Sequence, residues 1–156
     1  MLLYLIRHGE YMPASVDHRE PLSPQGRKDI HAVARLIGES GPEAAQAVWH
    51  SPKNRALQSA KIIQDVLLTP GGIQARDDVS PNADPQACIK AIDRSRQTLI
   101  IVSHLPFIPQ LLWQLMPDDV HEGGFRFPAG SLAVVRCDGD GKWRLEEILT
   151  PETYRV

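Results

Sequence analysis

Apolar residues run unbroken from Leu2 to Ile6 and again through Leu99-Ile100-Ile101-Val102. Such continuous runs predict strands covered on both faces of a sheet. Between them the spacing changes. Ile30, Val33, Ala34 and Ile37 recur at intervals of three and four, the stripe of an amphipathic helix from Pro24 to about Glu39. Ser23-Pro24 opens it as a cap followed by proline at the first helical position, and Gly38 to Pro42 stop it. Ala45–Trp49 predicts another short strand. Ser51-Pro52 repeats the cap signal before a helix striped by Ala56, Ala60, Ile63 and Leu67. Residues 69–72 form a turn, 73–85 are short and polar, and 87–92 predict a short helix. After the strand at Thr98–Val102 comes a helix over Leu105–Met116, then a loop over 117–130 containing Gly123-Gly124 and Pro128. Leu132–Cys137 and Trp143–Leu149 flank Asp138-Gly139-Asp140-Gly141, a hairpin signal.

Strands alternating with helices, then a terminal antiparallel hairpin, predict an α/β fold with a mostly parallel sheet. The 156 residues suit one domain over 1–156, with no internal repeat or linker. A formal net charge of −2 argues against a nucleic-acid partner while leaving room for a local basic pocket. No apolar run approaches the roughly 20 residues needed to cross a bilayer, and Arg7-His8 end the first run too early for a signal peptide. No membrane association and a cytoplasmic location are therefore expected. Cys88 and Cys137 are too few for a disulfide framework.

Ligands of open α/β sheets bind beyond the carboxyl ends of the strands. The residues there are Arg7-His8-Gly9-Glu10 after the first run, His50-Ser51-Pro52 with Arg55 after the second, and Ser103-His104 after Leu99–Val102. This order predicts a rim holding two arginines and two histidines. Two guanidinium forks form an oxyanion site. They also favour neutral imidazole, so His8 is a candidate nucleophile. Gly9 allows substrate or backbone to approach closely. A metal held by His8 and His104 is disfavoured, because the arginines repel a cation and no carboxylate stands at ligand spacing. Taken singly, His8 reads as a structural histidine and Arg55 as a solvated charge; it is their joint occurrence that carries the functional reading.

Arg7-His8-Gly9 at a strand end resembles the signature of the histidine phosphatase superfamily, and Ser51-Pro52-Lys53-Asn54-Arg55-Ala56-Leu57-Gln58-Ser59 resembles its second motif. Ser103-His104 matches its second histidine. Pro21-Leu22-Ser23, Val79-Ser80-Pro81 and Val102-Ser103-His104-Leu105-Pro106 are similar to the small, SixA-like branch of phosphohistidine phosphatases. The resemblance implies a three-layer α/β/α, phosphoglycerate mutase-like fold without an inserted lid. It implies a covalent phosphohistidine on His8, with Arg7, Arg55 and His104 holding the phosphoryl oxygens and Gly9 beside them, and neither metal nor cofactor. Ser51 is expected to cap its helix and shape the pocket. Asp78 stands where that branch also has an acidic residue, which makes it a candidate general acid.

The expected substrate is phosphohistidine on a protein, such as a histidine phosphotransfer domain of a signalling kinase. An alkoxide leaving group wants a strong proton donor, whereas imidazole leaves as a nearly neutral ring. Glu10, Asp17, His18, Arg19 and Glu20 are a candidate docking rim in the first loop. A small-molecule phosphomonoesterase (metabolite, nucleotide or sugar phosphate) and a non-catalytic phosphate-binding module remain as alternatives.

Overall fold

The computed structural model describes residues 1–122 and 124–155; Gly123, part of the glycine pair expected in the 117–130 loop, lies outside them. Six strands form one sheet: β1 (Leu2–Arg7), β2 (Ala47–His50), β3 (Ile73–Ala75), β4 (Leu99–Ser103), β5 (Leu132–Cys137) and β6 (Trp143–Leu149). Their order is β3-β2-β4-β1-β5-β6. The first four run parallel, and β5 and β6 close the edge as the antiparallel hairpin. The helices are α1 (Pro24–Ser40), α2 (Asn54–Leu67), α3 (Pro85–Ser95), α4 (Phe107–Leu115) and the short α5 (Pro151–Tyr154), with a 3-10 turn at Asp77–Val79.

The strand pleat sorts the core into two layers. Leu2, Tyr4 and Ile6 of β1, with Val48, Ile100 and Val102, pack against α1 and α2. Leu3 and Leu5, with Trp49, Leu99 and Ile101, pack against α3 and α4. This is the expected three-layer α/β/α arrangement, and it explains the unbroken apolar runs: both faces of the central strands are covered.

The helix boundaries differ from the sequence expectation in α2, α3 and α4, the last spanning Phe107–Leu115 rather than Leu105–Met116. Helix α3 opens at Pro85, two positions before the expected 87–92 span, because Asp84 caps the Gln86 N–H. Helix α2 begins at Asn54, with Lys53 at the cap position and no side-chain cap. Ser51 is thus not its cap. Cys88 is buried and Cys137 half-buried, and neither is in a disulfide. Among the described residues no helix is long and apolar enough to cross a membrane.

Candidate active site

Strands β2, β4 and β1 are neighbours, so their carboxyl ends deliver three loops to one rim. Arg7 pairs with Ser103 in the ladder, and the His8 N–H donates to the Ser103 carbonyl at 3.1 Å. The residues that follow these strands therefore leave the sheet side by side. His8 and His104 are each 2% exposed, with ring centroids 4.8 Å apart.

His8 Nδ1 lies 2.9 Å from the Gly9 carbonyl oxygen. A carbonyl can only accept, so Nδ1 carries the proton and Nε2 keeps its lone pair. Burial pushes the His8 pKa down to about 4, and the charges of Arg55 and Arg7 add to that effect. Burial also pushes His104 down to about 3, helped by His8, Arg55, Lys53 and Arg7. Both shifts favour the neutral ring at neutral pH, the form His8 needs to act as a nucleophile.

The two arginines are set in place by different means. Arg7 Nη1 donates to the Phe127 carbonyl at 3.1 Å. Burial lowers its pKa, with Arg55 contributing. The Arg55 guanidinium lies over the Tyr11 ring, 4.5 Å from its centroid, and 3.8 Å from the Glu20 carboxylate. Each arginine buries an Nε without a hydrogen-bond partner among the described residues. Both side chains remain partly accessible, and a guanidinium suits phosphoryl oxygens in charge and shape.

The second motif holds the first loop. Ser59 Oγ accepts from the Gly9 N–H at 3.1 Å and donates to the Arg55 carbonyl at 2.8 Å. Gln58 Oε1 accepts from the Leu22 N–H at 2.8 Å. A Cβ on Gly9 would stand 2.9 Å from the Gly26 carbonyl and 3.0 Å from Ile30. Gly9 thus admits the backbone of α1, the second of the two approaches its small size allows.

Ser51, freed from capping, has its Oγ 2.5 Å from His104 Nε2 and accepts weakly from the Lys53 N–H. It positions the second histidine. Tyr11, unremarked in the sequence, stands edge-on to His8 at 5.4 Å between ring centroids and beneath Arg55. No periodicity marks it, because residues 9–22 are loop. Its extended pairing with Leu22 brings it back over the sheet. His50, also buried, donates from Nδ1 to the Ser51 carbonyl and so braces this turn.

Asp78 sits in a 3-10 turn at Asp77–Val79. Both its oxygens accept from Arg76, at 2.9 and 2.6 Å, and Arg76 in turn stacks on Trp49. Among the described residues no hydrogen bond joins Asp78 to His8, Arg7, Arg55 or His104. In the first loop Asp17 and Arg19 pair with each other at the surface. Of that loop's carboxylates, Glu20 is the one ion-paired to a site residue. Among the described residues no group of three or more His, Cys, Asp or Glu is arranged to hold a metal.

Comparison with known proteins gives a family match over the first half of the sequence and a fold likeness over nearly the whole chain. The family model of the histidine phosphatase superfamily, branch 1, matches residues 3–77. That segment holds Arg7, His8, Arg55 and the loop that joins them. The whole chain has the fold of that superfamily. The protein histidine phosphatase SixA, solved with tungstate, superposes with a TM-score of 0.83 at 24% identity, covering 97% of both chains. A putative α-ribazole-5′-P phosphatase from Escherichia coli gives 0.76 at 16% identity over 96% of each chain. A phosphoserine phosphatase from Entamoeba histolytica, in complex with phosphoserine, gives 0.71 at 16% identity, over 94% of this chain and 95% of that one. No curated protein matches the sequence.

Proposed function

We propose that residues 1–156 form one histidine phosphatase domain that removes phosphate from phosphohistidine on a protein. The observation that carries the chemistry is the tautomer of His8: Nδ1–H is committed to the Gly9 carbonyl, which leaves Nε2 as the nucleophile. Nε2 attacks phosphorus in line. The bond to the leaving group breaks as the phosphoryl group passes to His8. The guanidinium groups of Arg7 and Arg55, both partly accessible, take up charge on the equatorial oxygens. Once a dianion is bound, His104 gains a reason to protonate and donate, with Ser51 fixing its ring. Water then attacks phosphorus, the P–N bond breaks, and Nε2 recovers its lone pair.

Phosphohistidine is the favoured substrate because the carboxylate expected to act as acid, Asp78, is engaged by Arg76. An imidazole leaving group has little need of such a donor. A small-molecule phosphomonoesterase is the second reading, supported by the names of the ribazole and phosphoserine phosphatase neighbours.

The test gives the purified protein, without added metal, a phosphohistidine-bearing phosphotransfer domain and a panel of small phosphate esters. His8→Ala is the control. Preference for phosphohistidine, lost in the variant, supports the proposal. Preference for one ester moves the assignment to a metabolite phosphatase. Activity undiminished in His8→Ala would sink both.

A further inference from the structure

A groove of about 800 Å³ adjoins the oxyanion site, lined by Pro52, Lys53 and Arg55 on one side and by Ser80, Pro81, Asn82 and Ala83 on the other. Arg55 belongs to both. The charged residues lining the groove are Lys53 and Arg55, both cations, and no carboxylate lines it. Of the flanking acids, Asp78 is held by Arg76 and Asp84 caps the Gln86 N–H, while Asp77 is exposed and does not line the groove. Lys53 is exposed and makes no ion pair among the described residues, yet its charge reaches the buried His104 and helps to keep it neutral. The loop on the other side of Arg55 is acidic, with Glu20 against the guanidinium. The rim is therefore polarised: acidic along the 9–22 loop, basic along the groove.

We infer that this groove is a leaving-group subsite in which Lys53 recognises a carboxylate carried by the substrate beside its phosphoryl group. The inference rests on the phosphatase reading and names a substrate class for it. Lys53 is the free cation of the groove, because Arg55 is committed to the phosphoryl oxygens. A carboxylate of the leaving group entering between Pro52 and Pro81 meets the Lys53 ammonium. The same charge on the opposite side meets Glu20 and is repelled. The carboxylate has two possible sources, a small phosphorylated acid or an acidic side chain flanking a phosphorylated residue.

The experiment measures kcat/KM for para-carboxyphenyl phosphate and para-carbamoylphenyl phosphate, which differ in charge but hardly in shape. A parallel arm compares phosphohistidine peptides with Glu or Gln next to the phosphorylated residue. The wild-type protein is expected to favour the carboxylate of at least one pair by about fivefold at low salt, with the preference shrinking as salt rises. Lys53→Gln removes the preference and Lys53→Glu inverts it. Preference in the ester arm alone identifies a small acid; preference in the peptide arm alone identifies an acidic flank. Equal rates on both members of both pairs, or a preference that survives in Lys53→Glu, overturns the subsite. A protein that cleaves neither class, or that cleaves them as well in His8→Ala, sinks the phosphatase reading instead.

Discussion

His8 and Gly9 are joined by a hydrogen bond between adjacent residues, Nδ1–H to the carbonyl oxygen at 2.9 Å. That contact selects the tautomer, and burial with two arginines keeps the ring unprotonated. The first prediction is a covalent intermediate on Nε2. Rapid quench with labelled phosphate donor should trap label on the protein that survives alkali and is lost in acid, as expected of a phosphoramidate. His8→Ala should lose the label and about 10³-fold or more in kcat/KM. Acid-stable label would point to another nucleophile.

Glu20 is expected to compete with substrate for Arg55. The two groups are 3.8 Å apart at a half-buried position, where a screened pair contributes about 0.2–1 kcal/mol. Glu20→Gln should therefore tighten inhibition by vanadate or tungstate by roughly two- to fivefold at low salt. Inhibition that weakens instead would show that Glu20 holds Arg55 in its working pose.

Asp78 is expected to be a structural partner of Arg76 rather than the proton donor. Asp78→Asn should reduce thermal stability and loosen Arg76 from Trp49. It should leave the ratio of alkyl to aryl phosphate hydrolysis where it was. A selective collapse of alkyl ester hydrolysis would restore Asp78 as the acid.

The strands and their terminal motifs were legible because central strands of a covered sheet read as unbroken apolar runs. The motif residues that follow them need no long-range information. Arg7, His8, Arg55 and His104 could be placed on one rim for that reason. Tyr11 and Glu20 could not: their contacts with Arg55 depend on how a loop without periodicity folds back over the sheet. Ser51 looked like a cap because Ser-Pro is an ordinary helix opening. Its partner is instead 53 positions away, at His104. Asp78 reads as an acid candidate from its place in the sequence, but both its oxygens are held by Arg76, which stacks on Trp49, and local pattern does not encode that contact.

Acid should destabilise the protein through its two site histidines. In the fold their pKa values lie at about 4 and about 3, whereas in the unfolded chain histidine titrates near 6.5. Between those limits the unfolded state binds more protons, so stability rises with pH. The contribution is complete above about 6.5 and is lost as pH falls toward about 4 for His8 and about 3 for His104, at up to about 1.4 kcal/mol per pH unit for each ring. Urea midpoints at pH 7, 6 and 5 should fall more steeply for the wild type than for a His8→Gln, His104→Gln double variant. Parallel slopes would mean that the rings do not titrate as their burial requires.

The C-terminal segment should support the site from behind. Gly130, at φ +83, donates its N–H to both the Arg7 and His8 carbonyls at 3.0 Å. Its own carbonyl accepts from the Tyr154 hydroxyl at 2.9 Å. One residue further, Arg155 clasps Asp29 of α1 at 2.6 and 2.9 Å, and Asp29 is 2% exposed. Arg155→Ala leaves that carboxylate buried with Gln25 as its remaining side-chain partner. An uncompensated buried charge is costly, but Arg155 is itself half exposed, so the expected loss is about 1–3 kcal/mol. Tyr154→Phe removes the contact to Gly130 and keeps the ion pair. It should cost about 1 kcal/mol or less in stability while raising KM, since the strand end carrying Arg7 and His8 loses its brace. Gly130→Ala should be worse than either, because its Cβ would stand 2.9 Å from the Tyr154 hydroxyl at a backbone angle that favours glycine. Thermal melts and steady-state kinetics on the three variants separate the effects. If Tyr154→Phe left KM unchanged, the tail would be a stabilising strap with no hold on the site.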